Sequence, residues 1–187
     1  MQMRPFGSLG QVSALTLGGG GIGSAWGTVE RAEAVATVRA ALDDSLPDAI
    51  QCVANALDLT GDMWLFGPEE RPDNAGMRAR AVQAGVSVIG IRAVAAGSLA
   101  DTLDRPVEAD HPAARDYETA APFRRLAAER GESAALLAHR YALSMPDLAT
   151  VVLGVKNRVE LEECLAAEAA GPLADEEMHA IEALRGS

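Results

Sequence analysis

The amino-acid sequence predicts an α/β protein built on a parallel sheet. Short runs of β-branched and aliphatic residues alternate with longer runs whose apolar residues recur at helical spacing. Four such strand–helix steps follow a small N-terminal hairpin, and strands that alternate with helices form parallel sheets with right-handed crossovers. At 187 residues the chain is long enough for one domain with its own core.

The N-terminal quarter contains a predicted hairpin, one strand and one helix. Turn residues between two short extended pieces predict the hairpin, and Thr28 is a candidate N-cap for the helix. The predicted elements are the hairpin Met3–Val12, the strand Ala14–Leu17, the helix Val29–Asp43 and the connector Asp44–Pro47.

The rest of the chain contains three further predicted strands, each followed by one or more helices. Gly85 and Gly131 follow helical runs and predict where these helices end. The predicted strands are Asp48–Val53, Val86–Ile91 and Thr150–Leu153, and the predicted helices are Pro72–Ala84, Pro122–Arg130, Ser133–Ser144, Arg158–Ala169 and one that Asp175 caps and that ends near Leu184. The acidic segment Asp101–Ala121 contains two prolines, with Pro122 directly after it, and predicts a long loop.

The composition excludes several classes of function. A net charge of -11 disfavours binding to a nucleic acid or to an anionic membrane. No apolar run has the length of a membrane span, and the first ten residues lack the apolar centre of a signal peptide. Cys52 and Cys164 have neither metal-site nor disulfide spacing, which indicates a reducing cytoplasm. The acidic loop with His111 fits no calcium motif.

The turn after the last strand is the strongest local candidate for a binding site. Lys156, the only lysine in the chain, and Arg158 lie between a β-branched strand and a helix start. Backbone N–H groups at a helix start and nearby cations favour an anion. An ordinary turn with two solvated cations explains the same residues.

A glycine-rich segment offers a second candidate. Gly18, Gly20 and Gly23 match the spacing of a dinucleotide-binding loop, with Asp43 about 20 residues further on. However, Asp43 ends the predicted first helix, whereas the fingerprint requires an acidic residue at the end of a second strand. The order of elements therefore disfavours a Rossmann fold.

Several blocks of this sequence, in this order, resemble the aldo/keto reductase family. They are Arg4–Gly7, Val12–Gly18, Glu33–Ala41, Asp48–Gln51 with Asn55, Gly85–Arg92, Ala95–Leu99, Thr150–Gly154 and Glu160–Cys164. The resemblance implies a partial (β/α)8 barrel with about four parallel strands and an N-terminal hairpin, in a single domain over residues 1–187. It also implies NAD(P)H-dependent reduction of an aldehyde or ketone.

The same resemblance implies a cofactor site, with NADP or NAD as the ligand. Its residues would be Gln51 at the nicotinamide, Arg92 with Ala95, Gly97, Ser98 and Leu99 along the pyrophosphate, Gly154, Lys156, Asn157 and Arg158 near the adenosine 2′-phosphate, and Glu163 at the adenine. Glu160 and Cys164 depart from the family pattern. A carboxylate at Glu160 would repel a 2′-phosphate, so we expect a weakened site.

This chain lacks the segment that holds the second to fifth strands of the family, because only residues 44–47 connect the predicted first helix to the next strand. That segment would carry the catalytic aspartate, tyrosine, lysine and histidine, so the catalytic residues are unknown and weak or absent reductase activity is expected. Tyr117 is the alternative proton donor. A non-catalytic nucleotide-binding or assembly module and a truncated product without an independent role are the other hypotheses. Because open sheet edges aggregate, a homodimer that closes a barrel is also expected.

Overall fold

The structure is a computed structural model, and it describes residues 2–5, 8, 10–13, 29–30, 32–33, 36–37, 40, 48–61 and 73–185. It divides the chain into two compact units, Met1–Ala49 and Ile50–Ser187. The predicted strand Ala14–Leu17 and the glycine-rich segment with Asp43 lie outside the described residues.

The N-terminal unit contains the predicted hairpin. Strands β1 (Met3–Pro5) and β2 (Gln11–Ser13) pair antiparallel, with Arg4 opposite Val12. Gly10 enters β2 with φ 90°, a left-handed conformation that favours glycine. In the predicted first helix, the described residues between 32 and 40 are helical.

The C-terminal unit is built on a three-stranded parallel sheet. Its strands β3 (Ala49–Val53), β4 (Ser87–Ile91) and β5 (Thr150–Val151) lie in that order. Gly90 of β4 is in register with Val151, and its carbonyl accepts a hydrogen bond from Val152 N at 2.8 Å. The described strands do not close a barrel, which confirms the predicted partial (β/α)8 architecture.

The described part of the unit also contains six α-helices. They are α1 (Asn74–Gln83), α2 (Pro112–Thr119), α3 (Ala121–Glu129), α4 (Ala134–Ser144), α5 (Arg158–Ala169) and α6 (Asp175–Glu182). Gly85 and Gly131 follow α1 and α3 with φ 75° and 71° and end these helices as predicted. A short 3₁₀ turn, Ala95–Gly97, follows β4.

The predicted strand Thr150–Leu153 is shortened to Thr150–Val151, and three helix starts also differ from the sequence prediction. The predicted loop Asp101–Ala121 contains α2, which begins because His111 Nδ1 accepts a hydrogen bond from Ala113 N at 3.1 Å and Pro112 fits the first helical turn. Asp73, whose carboxylate accepts from Gly76 N at 2.8 Å, caps α1. Asp175 is the first residue of α6 and not its cap.

The core lies where α3, α4 and α6 pack against the loops that follow β3 and β4. Its largest fully buried apolar side chains are Tyr141, Phe123, Leu59, Leu99, Leu137 and Ile181. Alanine occupies many of the remaining core positions, which allows the helices to approach closely. This core fixes the loops at the carboxyl ends of the strands, where ligands bind in parallel α/β folds.

Candidate functional site

The loop after β4 begins with unusual backbone geometry. Arg92, Ala95 and Ala96 all have positive φ, at 64°, 46° and 53°. Left-handed backbone is costly for residues with a side chain, and such residues cluster at functional sites. Gly61, in the loop after β3, packs against this loop so closely that a Cβ at residue 61 would lie 3.0 Å from Ala95 C.

Two buried hydroxyl groups lie in the loops that follow β3 and β4. Ser98 is fully buried and Thr60 is 5% exposed, and neither hydroxyl has a hydrogen-bond partner among the described residues. The Ser98 carbonyl accepts a hydrogen bond from Arg124 Nη1 at 3.0 Å. Leu99, the last residue of the predicted pyrophosphate segment, is part of the hydrophobic core and anchors the loop to it.

The turn between β5 and α5 is filled by a carboxylate of its own helix. Asn157 caps α5, with Oδ1 accepting from Glu160 N at 3.0 Å. The Glu160 carboxylate accepts from Lys156 N at 2.8 Å and from Asn157 Nδ2 at 3.0 Å. It therefore occupies one of the backbone N–H groups that the sequence predicted for an anion, that of Lys156.

The only lysine of the chain is held between two carboxylates. Lys156 Nζ forms an ion pair with Asp104, from the loop after β4, and lies 3.5 Å from Glu160 Oε1. The hydrogen bond to Asp104 raises the pKa of Lys156, and the same bond lowers the pKa of Asp104. Gly97 faces Asp104, with a Cβ position 4.0 Å from Oδ1. Asp104 thus joins the loop after β4 to the turn after β5.

The other predicted cofactor residues are less closely connected. Gln51 is exposed on β3, Gly154 has open space around its Cα, and Arg158 is exposed at the first position of α5. Glu163, predicted to meet an adenine, accepts a hydrogen bond from Ser133 Oγ at the start of α4. The described structure links Gly97 and Lys156 through Asp104 and gives no such link to Gln51.

Both tyrosines of the chain are engaged in structural hydrogen bonds. Tyr117 OH donates to the Asp101 carbonyl at 2.7 Å, and its ring stacks under Arg124, 3.5 Å from the guanidinium carbon to the ring centroid. Tyr141 OH donates to Glu182 Oε1 at 2.9 Å, and burial raises its pKa. Each hydroxyl therefore already donates to an acceptor of the chain itself.

A thiol–imidazole contact between α4 and α5 was not predicted. Cys164 Sγ lies 3.4 Å from His139 Nε2, and His139 Nδ1 lies 2.8 Å from the Ala135 carbonyl. Both side chains are buried, and burial raises the pKa of the Cys164 thiol. Helical spacing placed each residue on a helix, but no sequence signal paired them.

The described residues contain no group of three or more side chains suited to hold a metal ion. In the acidic loop, Asp101 accepts from Ala134 N at the start of α4, Asp104 pairs with Lys156, and Asp110 is exposed. Among the helices that the structure describes, none is long and apolar enough to cross a membrane.

Comparisons with known proteins agree on one family. The model of the aldo/keto reductase family matches residues 48–185. The structure is similar to the aldo-keto reductase AKR11C1 from Bacillus halodurans, with TM-scores of 0.53 to the apo form and 0.52 to the holo form, and 22% identity to each. Each match covers 80% of this chain but only 47% and 46% of that protein, so the chain spans about half its length. No curated protein matches the sequence.

Proposed function

Because the chain belongs to the aldo/keto reductase family, we propose that it binds a nicotinamide dinucleotide weakly and reduces carbonyl compounds poorly or not at all. The observation that carries the proposal is the Asp104–Lys156–Glu160 arrangement. It joins the predicted pyrophosphate segment after β4 to the predicted 2′-phosphate segment after β5. It also pairs the Lys156 ammonium with two carboxylates of the chain itself.

Weak binding follows from what an incoming phosphate would have to displace. A phosphate at the start of α5 needs Lys156 N–H and the Lys156 ammonium, and Glu160 already accepts from the first and pairs with the second. Displacing Glu160 leaves that carboxylate next to the phosphate, which costs free energy. The ribose hydroxyls of NADH could instead donate to Glu160, as an acidic residue does in other dinucleotide sites. We therefore propose a preference for NADH over NADPH.

Poor catalysis follows from the inventory of proton donors. Reduction of a carbonyl by hydride transfer requires a positioned acid within hydrogen-bond reach of the substrate oxygen. The chain has two tyrosines and one lysine, and all three have other hydrogen-bond partners. A small carbonyl compound is the substrate class that the family suggests. A non-catalytic nucleotide-binding or assembly module in the cytoplasm is the second candidate function.

Titration with NADH and NADPH tests the binding part of the proposal. Following the fluorescence of the reduced nicotinamide, we expect dissociation constants of about 0.1–1 mM, equivalent to binding free energies of about -4 to -5.5 kcal/mol. Asp104→Asn should alter this affinity, whereas Asp110→Asn, an exposed change in the same loop, should not. No binding of either cofactor at millimolar concentration would overturn the proposal.

Turnover measurements test the catalytic part. At saturating NADH, oxidation of the cofactor with a panel of small aldehydes and ketones should not exceed the rate without protein. Efficient turnover would show that an acid had been misjudged. Tyr117→Phe would then be the first variant to compare, since the Tyr117 hydroxyl is hydrogen-bonded to a backbone carbonyl at the protein surface.

A further inference from the structure

Exposed apolar side chains are concentrated on one part of the C-terminal unit. Of ten large hydrophobic side chains that are exposed among the described residues, six lie between residues 152 and 165. They are Val152, Leu153, Val155, Val159, Leu161 and Leu165. Such a concentration after the last described strand is a candidate interaction surface, because large apolar patches are rare on the free surfaces of monomers.

The outer face of α5 presents this surface as a regular stripe. Helical spacing places Arg158, Leu161, Leu165 and Glu168 along one side of the helix, while Cys164 and Ala167 face the core. Leu161 is 38% exposed and Leu165 is 56% exposed. The stripe therefore has an apolar centre, a cation at its start and a carboxylate near its end.

We propose that this stripe, defined by Arg158, Leu161, Leu165 and Glu168, binds a second copy of the chain through a two-fold axis. In an antiparallel pair of α5 helices centred at residue 163, Leu161 packs on the partner's Leu165. The same register places Arg158 beside the partner's Glu168, and each contact occurs twice. An isologous interface requires this self-complementarity.

The charges favour a second copy over an unrelated partner. Within the described chain neither Arg158 nor Glu168 forms a side-chain hydrogen bond or ion pair, so both are free to pair across the interface. A net charge of -11 on each copy opposes association. A cation placed at one end of an otherwise acidic helix offsets this repulsion where the two copies meet. The proposal does not depend on cofactor binding.

Charge reversal tests the register directly. Wild-type protein should sediment as a dimer at about 50 μM, whereas Arg158→Glu and Glu168→Arg should each weaken the dimer about 30-fold, because two opposite-charge contacts become like-charge contacts. An equimolar mixture of these two variants should recover the dimer, since each copy then supplies the charge that the other needs. The double variant R158E/E168R should also dimerise.

Apolar variants test the centre of the stripe. Leu165→Glu should leave only monomer, whereas Leu143→Glu, on α4 with a similarly exposed leucine at 44%, should not alter the dimer. Circular dichroism establishes that each variant is folded. A wild-type chain that remains monomeric at 50 μM overturns the proposal and indicates that this surface is covered by another part of the chain or by another protein. A dimer that is insensitive to Leu165→Glu and to both charge reversals also overturns it.

Discussion

Replacing Glu160 by glutamine should raise the affinity for NADPH relative to that for NADH. The substitution removes one negative charge and keeps a side-chain acceptor. The amide oxygen of glutamine can still accept from Lys156 N, which the carboxylate does at 2.8 Å. The amide is neutral, however, and no longer pairs with the Lys156 ammonium. The substitution thus tests the charge at the start of α5 while the turn itself is preserved.

The size of the effect follows from Coulomb's law. The Glu160 side chain is 33% exposed, so its interactions are screened nearly as in water. At a separation of about 5 Å, one pair of like charges costs about 0.8 kcal/mol at a dielectric constant near 80. A phosphate monoester carries about -1.5 to -2 charges at pH 7, so the repulsion is about 1–2 kcal/mol. NADPH affinity should therefore rise about 5- to 30-fold.

NADH should respond in the opposite direction. Its 2′-hydroxyl donates a stronger hydrogen bond to a carboxylate than to an amide, so its affinity should fall a few-fold. Fluorescence titration of wild type and Glu160→Gln with both cofactors measures the ratio of the NADPH and NADH dissociation constants. Glu162→Gln is the matched control, because it removes the same charge from an exposed position on the same helix. Equal effects of the two substitutions, or an unchanged NADPH affinity in Glu160→Gln, would refute the reasoning.

Two further predictions concern stability. Asn55 is 2% exposed and bonds both backbone groups of Leu59, at 2.7 and 2.8 Å, so Asn55→Ala should lower the free energy of unfolding in urea by about 2–4 kcal/mol. Asn55→Asp would place a buried carboxylate against the Leu59 carbonyl and should cost at least as much at pH 7, so a smaller loss than that of Asn55→Ala would contradict this account. Hydrogen bonds from Ala174 N and Arg130 lower the pKa of Glu177 below 4.5. The ionised Glu177 carboxylate therefore stabilises the folded state above pH 4.5, and this stabilisation is lost as the pH falls through the lowered pKa. Glu177→Gln should reduce the dependence of unfolding free energy on pH in that range. An unchanged dependence would contradict this prediction.

Much of the fold was predictable because its signals are local. The bounds of α5, Arg158–Ala169, agree with the prediction, since Asn157 and the first turn form a capping arrangement that short sequence spacing encodes. The glycines at 85 and 131 ended their helices for a similar reason. The parallel sheet was also predictable, because strands that alternate with helices pair in parallel.

The features that were missed depend on residues far apart in the sequence. Proline and acidic residues in Asp101–Ala121 indicated a loop, yet α2 begins there at His111 and Pro112. Its buried Asp116 accepts a hydrogen bond from Gly61 N at 3.0 Å, 55 residues away, which sequence spacing does not reveal. The ion pair of Lys156 with Asp104 spans 52 residues. Sequence spacing identified Lys156 as a candidate for anion binding but gave no information about which carboxylate would reach it.

Strained backbone is concentrated at the carboxyl ends of strands β3 and β4. Asp58, Arg92, Ala95 and Ala96 are the non-glycine residues with positive φ in the described chain, and all four follow β3 or β4. Each such conformation costs about 1–3 kcal/mol and persists only where its surroundings fix it. Gly61 provides part of that support by its close contact with the Ala95 backbone. Strain at these positions fits the weak dinucleotide site that we propose at the carboxyl ends of the strands.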